Sequence, residues 1–310
     1  YGTSQKTMSV AIILPARLAS TRLANKLLLE AGGKSILEHT IARAREAMDA
    51  AEGLISRIVV AADDAKLIEL AQRAGVEAVL TDRNHTSGTD RIAEAAASAK
   101  EEIIVNLQAD EPEIDPGCLL LVANLLAAGS DDAVMSTVAT PIYDEERWKK
   151  PNVVKLLVNA KGNAIYFSRS PIPFVRDAAD AGRWKLNGRP VFGLHHVGLY
   201  AYRRDFLLNY KNLPASRLEQ LEKLEQLRAL EAGYASKVGL IQPRGKVILD
   251  CCGGLGYFAA WCLLGQARQV LSYEKNPDVI WLRGLNPWSP GTGGALSLTQ
   301  GDITEEIAGL

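Results

Sequence analysis

The sequence predicts an α/β fold built on a mainly parallel sheet, and three observations carry that expectation. Short apolar, β-branched runs alternate with helical patterns through the first 140 residues. Such alternation requires crossover connections, which are right-handed and set consecutive strands side by side in parallel. Chemically loaded loops follow the apolar runs directly, where ligands approach sheets of this kind.

The elements follow in order. IILP (12–15), RIVVAA (57–62), EAVL (77–80) and EIIVNL (102–107) read as buried strands. Segments 35–49, 64–74, 89–99 and 116–128 read as the helices between them. NVVKLLVN (152–159) and NAIYFSRS (163–170) flank AKG (160–162), the pattern of a hairpin. Pro171 and Pro173 end that regularity, 174–190 reads as a surface loop, and RPVFGLHHVGLYAY (189–202) as a further strand. LEQLEKLEQLRALEAG (218–233) reads as one helix closed by Gly233, with leucines at 218, 221, 224 and 227. The character shifts at about 243–246, where KVILDCCGGLGYFAAWCLLG opens a second strand, turn and helix pattern.

Bulk properties narrow the function classes. With 47% hydrophobic and 23% charged residues the chain can bury a sizeable core. A net charge of −1 gives no reason to expect a nucleic-acid or membrane partner. No apolar run reaches the roughly 18 residues of a membrane span. The start, YGTSQKTMSV, lacks the pattern of a signal peptide, and residues 1–8 are expected to be a tail ending at a natural-looking start, Met8. Cys118, Cys251, Cys252 and Cys262 form no CxxC pair, which points to a reduced, cytoplasmic protein rather than a disulfide scaffold.

Three loops carry chemistry. The first, 15–26, follows the first strand and holds Arg17, Ser20, Thr21, Arg22 and Lys26. Three cations and two hydroxyls at a strand end can neutralise and hydrogen-bond a triphosphate, although the P-loop pattern is absent. The second, QADEPEI (108–114), sets Asp110 and Glu111 at another strand end; Mg²⁺ is held by one or two carboxylates together with phosphate oxygens. An ordinary acidic turn before Pro112 would look the same. The third, NHTSGTDRIAE (84–94), places Ser87, Gly88 and Thr89 before a helix, where they serve either as a cap or as groups that read a base. All three are expected at one edge of the sheet.

PARLASTRL, TSGTDRIAE, VNLQADEP, NVVKLL, YFSRSPIP, HHVGLYAYRRDFL and LEQLEKLEQLRAL occur in that order. Together they resemble CMP-Kdo synthetases, the 3-deoxy-manno-octulosonate cytidylyltransferases of bacterial lipopolysaccharide synthesis, over about residues 9–241. The resemblance implies a Rossmann-like nucleotidyltransferase fold with a smaller dimerisation subdomain within 152–202, and a cytoplasmic homodimer. It implies transfer of CMP from CTP to the anomeric hydroxyl of the acidic sugar Kdo, with Mg²⁺ as cofactor and release of pyrophosphate. Carried over by position, Arg17, Ser20 and Lys26 would hold the CTP phosphates and Asp110 would ligate the metal. Ser87, Gly88 and Thr89 would face the nucleotide. Gln108, Arg169, His196, Glu225 and Gln226 would line the sugar pocket. For His196 the plainer reading is a core-strand histidine satisfied by its neighbours, and for Glu225 a solvated helix face.

The sequence departs from the family twice. Ala24-Asn25 stands where the family usually has Pro-Gly, and Asn tolerates the left-handed backbone better than most residues. After residue 241 the motif that carries the family's second metal carboxylate gives way to 246–310, which resembles the opening part of a class I SAM-dependent methyltransferase. Asp250, Gly254 and Gly256 match its LDxGxGxG pattern, Glu274 falls where the acid on the ribose hydroxyls would be, and Asp302 where the adenine-side acid would be. A partial fragment is the expectation there, rather than a working SAM site. The alternative function is therefore an inactive or weakly active nucleotide-binding fusion or truncated protein.

Overall fold

The computed structural model describes residues 8–19, 25–85, 87–128, 132–177, 184–186 and 188–241, with 281–282 and 298–299. The chain divides into two compact units. The first takes Tyr1–Ala16, Ala44–Gln108 and Asp115–Gln242, and the second takes Arg17–Arg43, Ala109–Ile114 and Pro243–Leu310.

The first unit is built on one nine-stranded sheet. Its strands are β1 (Val10–Ala16), β2 (Ile55–Ala62), β3 (Glu77–Leu80), β4 (Ile103–Asn106), β5 (Ala133–Ile142), β6 (Lys155–Val158), β7 (Ala164–Ser168), β8 (Gly193–Arg203) and β9 (Ala235–Leu240). The order is β9-β5-β8-β4-β1-β2-β3, with the β6–β7 hairpin attached through β8. β1 lies parallel between β2 and β4, β2 is parallel to β3, and β9 is parallel to β5. The expected parallel core is therefore present, and β1 to β4 end at one sheet edge. β8 is antiparallel to β4, β5 and β6, and β6 is antiparallel to β7.

Two strands escaped the sequence reading. AVMSTVATPI (β5) carries Ser, Thr and Pro that mask its pattern, yet nearly every residue is buried, so period-two alternation is missing. β9 contains Gly239, where a Cβ would come within 2.7 Å of Leu121 in the helix above. That glycine marks close helix–sheet packing rather than a turn.

Capping starts the helices where expected. In α2 (Ala65–Arg73) the Asp64 carboxylate accepts the Lys66 amide at 3.0 Å. In α3 (Gly88–Ala96) the Ser87 hydroxyl accepts the Asp90 amide at 3.1 Å and donates to the Asp90 carboxylate at 2.9 Å. In α4 (Pro116–Ala127) Asp115 caps and proline occupies the first turn, where its missing N–H costs nothing. Ile13, Val59, Ile92, Ile104, Met135, Tyr202 and Phe206 form one core cluster, and Leu156, Phe167, Leu194, Leu224, Leu227 and Val238 another.

The single helix expected over 218–233 is a correction. It is two short helices, Arg217–Glu222 and Gln226–Glu231, split at Lys223 with φ 55° and ψ 47°. A strict spacing of three drifts around a 3.6-residue helix, so one straight helix would not bury all four leucines. Within 174–190, read as loop, Lys185–Leu186 pairs with Arg189–Pro190.

The second unit holds the first part of helix α1 (Ile36–Asp49), a 3₁₀ turn at Lys26–Leu28, and the short pair Glu30–Ala31 with Lys34–Ser35. Thr40 donates to the carbonyls of Ile36 at 3.0 Å and Ala109 at 2.9 Å, tying the two segments of the unit together. Ser20, Thr21, Arg22, Asp250, Gly254, Gly256, Glu274 and Asp302 lie outside the described residues. Among the described residues, no helix is long and apolar enough to cross a membrane.

Candidate active site

In the second unit the cationic and acidic segments meet. Arg17 is exposed, directly after β1 ends at Ala16. Asn25 adopts the left-handed conformation, φ 55° and ψ 27°, which favours glycine and which asparagine tolerates better than most residues. The chain then tightens into the 3₁₀ turn, with the Leu28 amide on the Asn25 carbonyl at 2.8 Å and Leu27 buried. This places the Lys26 ammonium on the Asp110 carboxylate, with side-chain exposures of 12% and 29%. The pair is charge-assisted and largely shielded from water, which distinguishes it from a fully exposed surface ion pair worth little.

In the first unit, Gln108 follows β4 and its amide donates to the buried Asn106 side chain at 3.3 Å. Gly88 opens α3 beside it. A Cβ there would stand 3.7 Å from the Pro15 ring and 4.0 Å from the Gln108 amide, so the helix start, the end of β1 and the end of β4 converge. Of the two roles open to Ser87 and Thr89, the cap belongs to Ser87. The Thr89 hydroxyl instead donates to the Glu225 carboxylate at 2.8 Å. Glu225 is exposed, its backbone carbonyl accepts the Tyr210 hydroxyl at 2.6 Å, and Gln226 beside it is buried.

His196 is buried, and desolvation alone pushes its pKa down to about 3. It is a neutral ring at physiological pH. His196 lies opposite Ala139, and a β-bulge between Val197 and Tyr200 sets Thr137 opposite Tyr200, with its hydroxyl in reach of the His196 ring. The Thr137 hydroxyl donates its single proton to the Leu199 carbonyl at 2.7 Å, so it accepts from His196 Nε2 at 3.0 Å. Phe167 meets the ring edge-on with centroids 4.9 Å apart. Burial and the nearby Arg147 cation likewise push His195 down to about 3; Arg147 donates to its Nδ1 at 3.2 Å.

Arg169 uses three of its five donors on backbone carbonyls: Glu222 at 2.6 Å, Pro151 at 3.3 Å and Lys223 at 3.4 Å. Sequence reasoning passed over Lys155, which is fully buried in β6. The signal was legible, since a lysine inside the apolar run NVVKLLVN is almost never buried without partners. It also passed over the buried pair of Arg91 with Asp63, 3.5 Å apart.

A model of the cytidylyltransferase family matches residues 11–238. The chain is 46% identical over 231 residues to the 3-deoxy-manno-octulosonate cytidylyltransferase of Acidovorax sp. (strain JS42), covering 72% of this chain and 86% of that one. It is 47% identical over 237 residues to the protein of that name from Rhodopirellula baltica, covering 76% and 91%. Its fold is similar to that of a CMP:2-keto-3-deoxy-manno-octonic acid synthetase solved in complex with CTP. The TM-score is 0.68 at 36% identity, over 76% of this chain and 91% of that one.

Proposed function

The chain belongs to the cytidylyltransferase family, and we propose that it transfers CMP from CTP to 3-deoxy-manno-octulosonate, releasing pyrophosphate. The sugar hydroxyl attacks the α-phosphorus, the bond to the β-phosphate oxygen breaks, and the hydroxyl proton leaves to solvent. The observation that carries this reading is the pairing of Lys26 with Asp110 in a chain 46% identical to an enzyme of that name.

Arg17 and Lys26 neutralise the triphosphate and then the departing pyrophosphate. Fixed cations at developing charge are the main catalytic contribution open to a phosphoryl-type transfer. Among the described residues no group of three or more His, Cys, Asp or Glu could hold a metal by itself. Asp110, with 29% of its side chain exposed, nevertheless fits Mg²⁺, which takes one or two carboxylates and fills its shell with substrate phosphate and water oxygens. Bound there, Mg²⁺ would supply charge neutralisation on the phosphates. Ser87, Gly88 and Thr89 face the nucleotide. Gln108, Arg169, His196, Glu225 and Gln226 bind the acidic sugar, His196 as a neutral hydrogen-bonding group and Arg169 through the donors its carbonyl contacts leave over.

The setting is the cytoplasm and the assembly a homodimer. Ile165, Phe174 and Trp184, in the 152–202 region, are 56%, 85% and 44% exposed, and large apolar side chains left in water favour burial against a second copy. Pyrophosphate release from CTP and Kdo with Mg²⁺ tests the reaction. It is expected only when both substrates are present. A folded protein that releases none, and behaves the same as its Asp110→Ala variant, overturns the reading.

A further inference from the structure

Lys155 is completely buried, and its ammonium donates to the carbonyls of Lys150, at 2.9 Å, and Arg169. Burial lowers its pKa to about 8, against the opposing charge of Glu222. A buried amine persists only where its protons are taken up, and here they are spent on fixing the end of β7 at Arg169.

Arg169 passes that constraint on. Its backbone N–H and the Ser168 hydroxyl donate to the Glu222 carboxylate at 2.9 and 2.7 Å. In return its guanidinium gathers the carbonyls of Glu222 and Lys223 at 2.6 and 3.4 Å. These bonds close around the one residue of this stretch with an unfavourable backbone. Lys223 is left-handed, at φ 55°, where a side chain crowds the following carbonyl. Two residues on stand Glu225, held by Thr89 and Tyr210, and the buried Gln226.

We propose that Lys155 and Glu222 are positioning residues: they hold the left-handed turn at Lys223 and so aim Arg169, Glu225 and Gln226 at the acidic sugar. This rests on the substrate reading above. The arrangement explains why the leucine-rich stretch breaks at a lysine, where glycine would be the ordinary choice.

Glu222→Gln keeps the side-chain shape but weakens the bonds the carboxylate accepts from Ser168 and the Arg169 amide. The expected result is a KM for Kdo raised about tenfold, with KM for CTP unchanged, because misaimed groups cost binding only where they touch substrate. Lys155→Met should act in the same direction. Adding Lys223→Gly to Glu222→Gln should recover most of the KM for Kdo, since glycine adopts the left-handed turn without support. Amide deuterium uptake over residues 217–231 should rise in Glu222→Gln and fall back in the double variant. Unchanged uptake and unchanged KM for Kdo overturn the inference. So does a parallel rise in both KM values with a lowered Tm, the mark of general loosening. A wild-type protein that releases no pyrophosphate sinks the substrate reading instead, and uptake still decides whether the network holds the turn.

Discussion

The two units use charge in opposite ways. In the second, the ion pair of Lys26 with Asp110 remains partly accessible on short loop segments. In the first, the groups assigned to the sugar are mostly buried or tied to the backbone: His196 is kept neutral, Arg169 is bound to three carbonyls, and Gln226 is covered. Charge left accessible is available to neutralise a ligand's phosphates. Polar groups enclosed in a sheet act through shape and hydrogen bonds, at the cost of a scaffold that must satisfy each of them.

The contrast breaks most sharply at Lys26 and Asp110. Lys26→Ala and Asp110→Ala should each lower kcat/KM for pyrophosphate release by about 10²–10³-fold, the range seen when one preorganised charge contact is removed. Their urea midpoints should stay close to wild type. A large stability loss with intact turnover would reassign the pair to the scaffold.

Packing in the other unit is the next largest effect. Gly239→Ala drives a methyl into Leu121 and should lower stability by about 1–3 kcal/mol, read as a shift of the urea midpoint. An unshifted midpoint would mean that helix α4 sits less tightly on β9 than the 2.7 Å approach indicates.

A pH-dependent effect separates the units further. His195 and His196 bind protons in the fold only near pH 3, whereas the unfolded chain takes them up from about pH 6.5 downward. The unfolded state therefore holds more protons between those values, and stability should fall as pH drops through that window. The urea midpoint should decline from pH 6.5 to 4, and less steeply in His196→Gln. Equal slopes would show that His196 titrates normally.

The smallest effect tests the loop. Asn25→Gly should be nearly neutral, while Asn25→Val should cost about 1–2 kcal/mol because a β-branched residue resists the left-handed region. Equal stability of the two would remove that turn as the reason Lys26 reaches Asp110.

Much of the first unit was legible in the chain. IILP, RIVVAA and EIIVNL are largely buried, whereas EAVL is a strand as expected but not a buried one, its residues half-buried or exposed at the end of the sheet. All four are parallel and adjacent, so apolar runs were sufficient to place β1 to β4. β5 was not legible, because burial on both faces removes alternation and Ser136 and Thr137 find partners such as the Val122 and Leu199 carbonyls only in three dimensions. The helix break at Lys223 was hidden for a different reason. Local propensity favours one continuous helix, and the contacts that accompany the break, such as the Arg169 guanidinium on the Glu222 and Lys223 carbonyls, come from more than fifty positions away in sequence.

Residue type determined the chemistry of the loops. Lysine, arginine and aspartate are charged groups in water, so Arg17, Lys26 and Asp110 could be read from the chain as charged residues on loops. Tertiary structure alone decided that His196 is neutral, that Thr89 holds Glu225 while Ser87 caps the helix, and that Lys155 is enclosed with its protons on backbone carbonyls. The physical reason is desolvation. Protonation state and hydrogen-bond partner depend on what excludes water from a side chain, and that is a property of the packed fold rather than of local sequence.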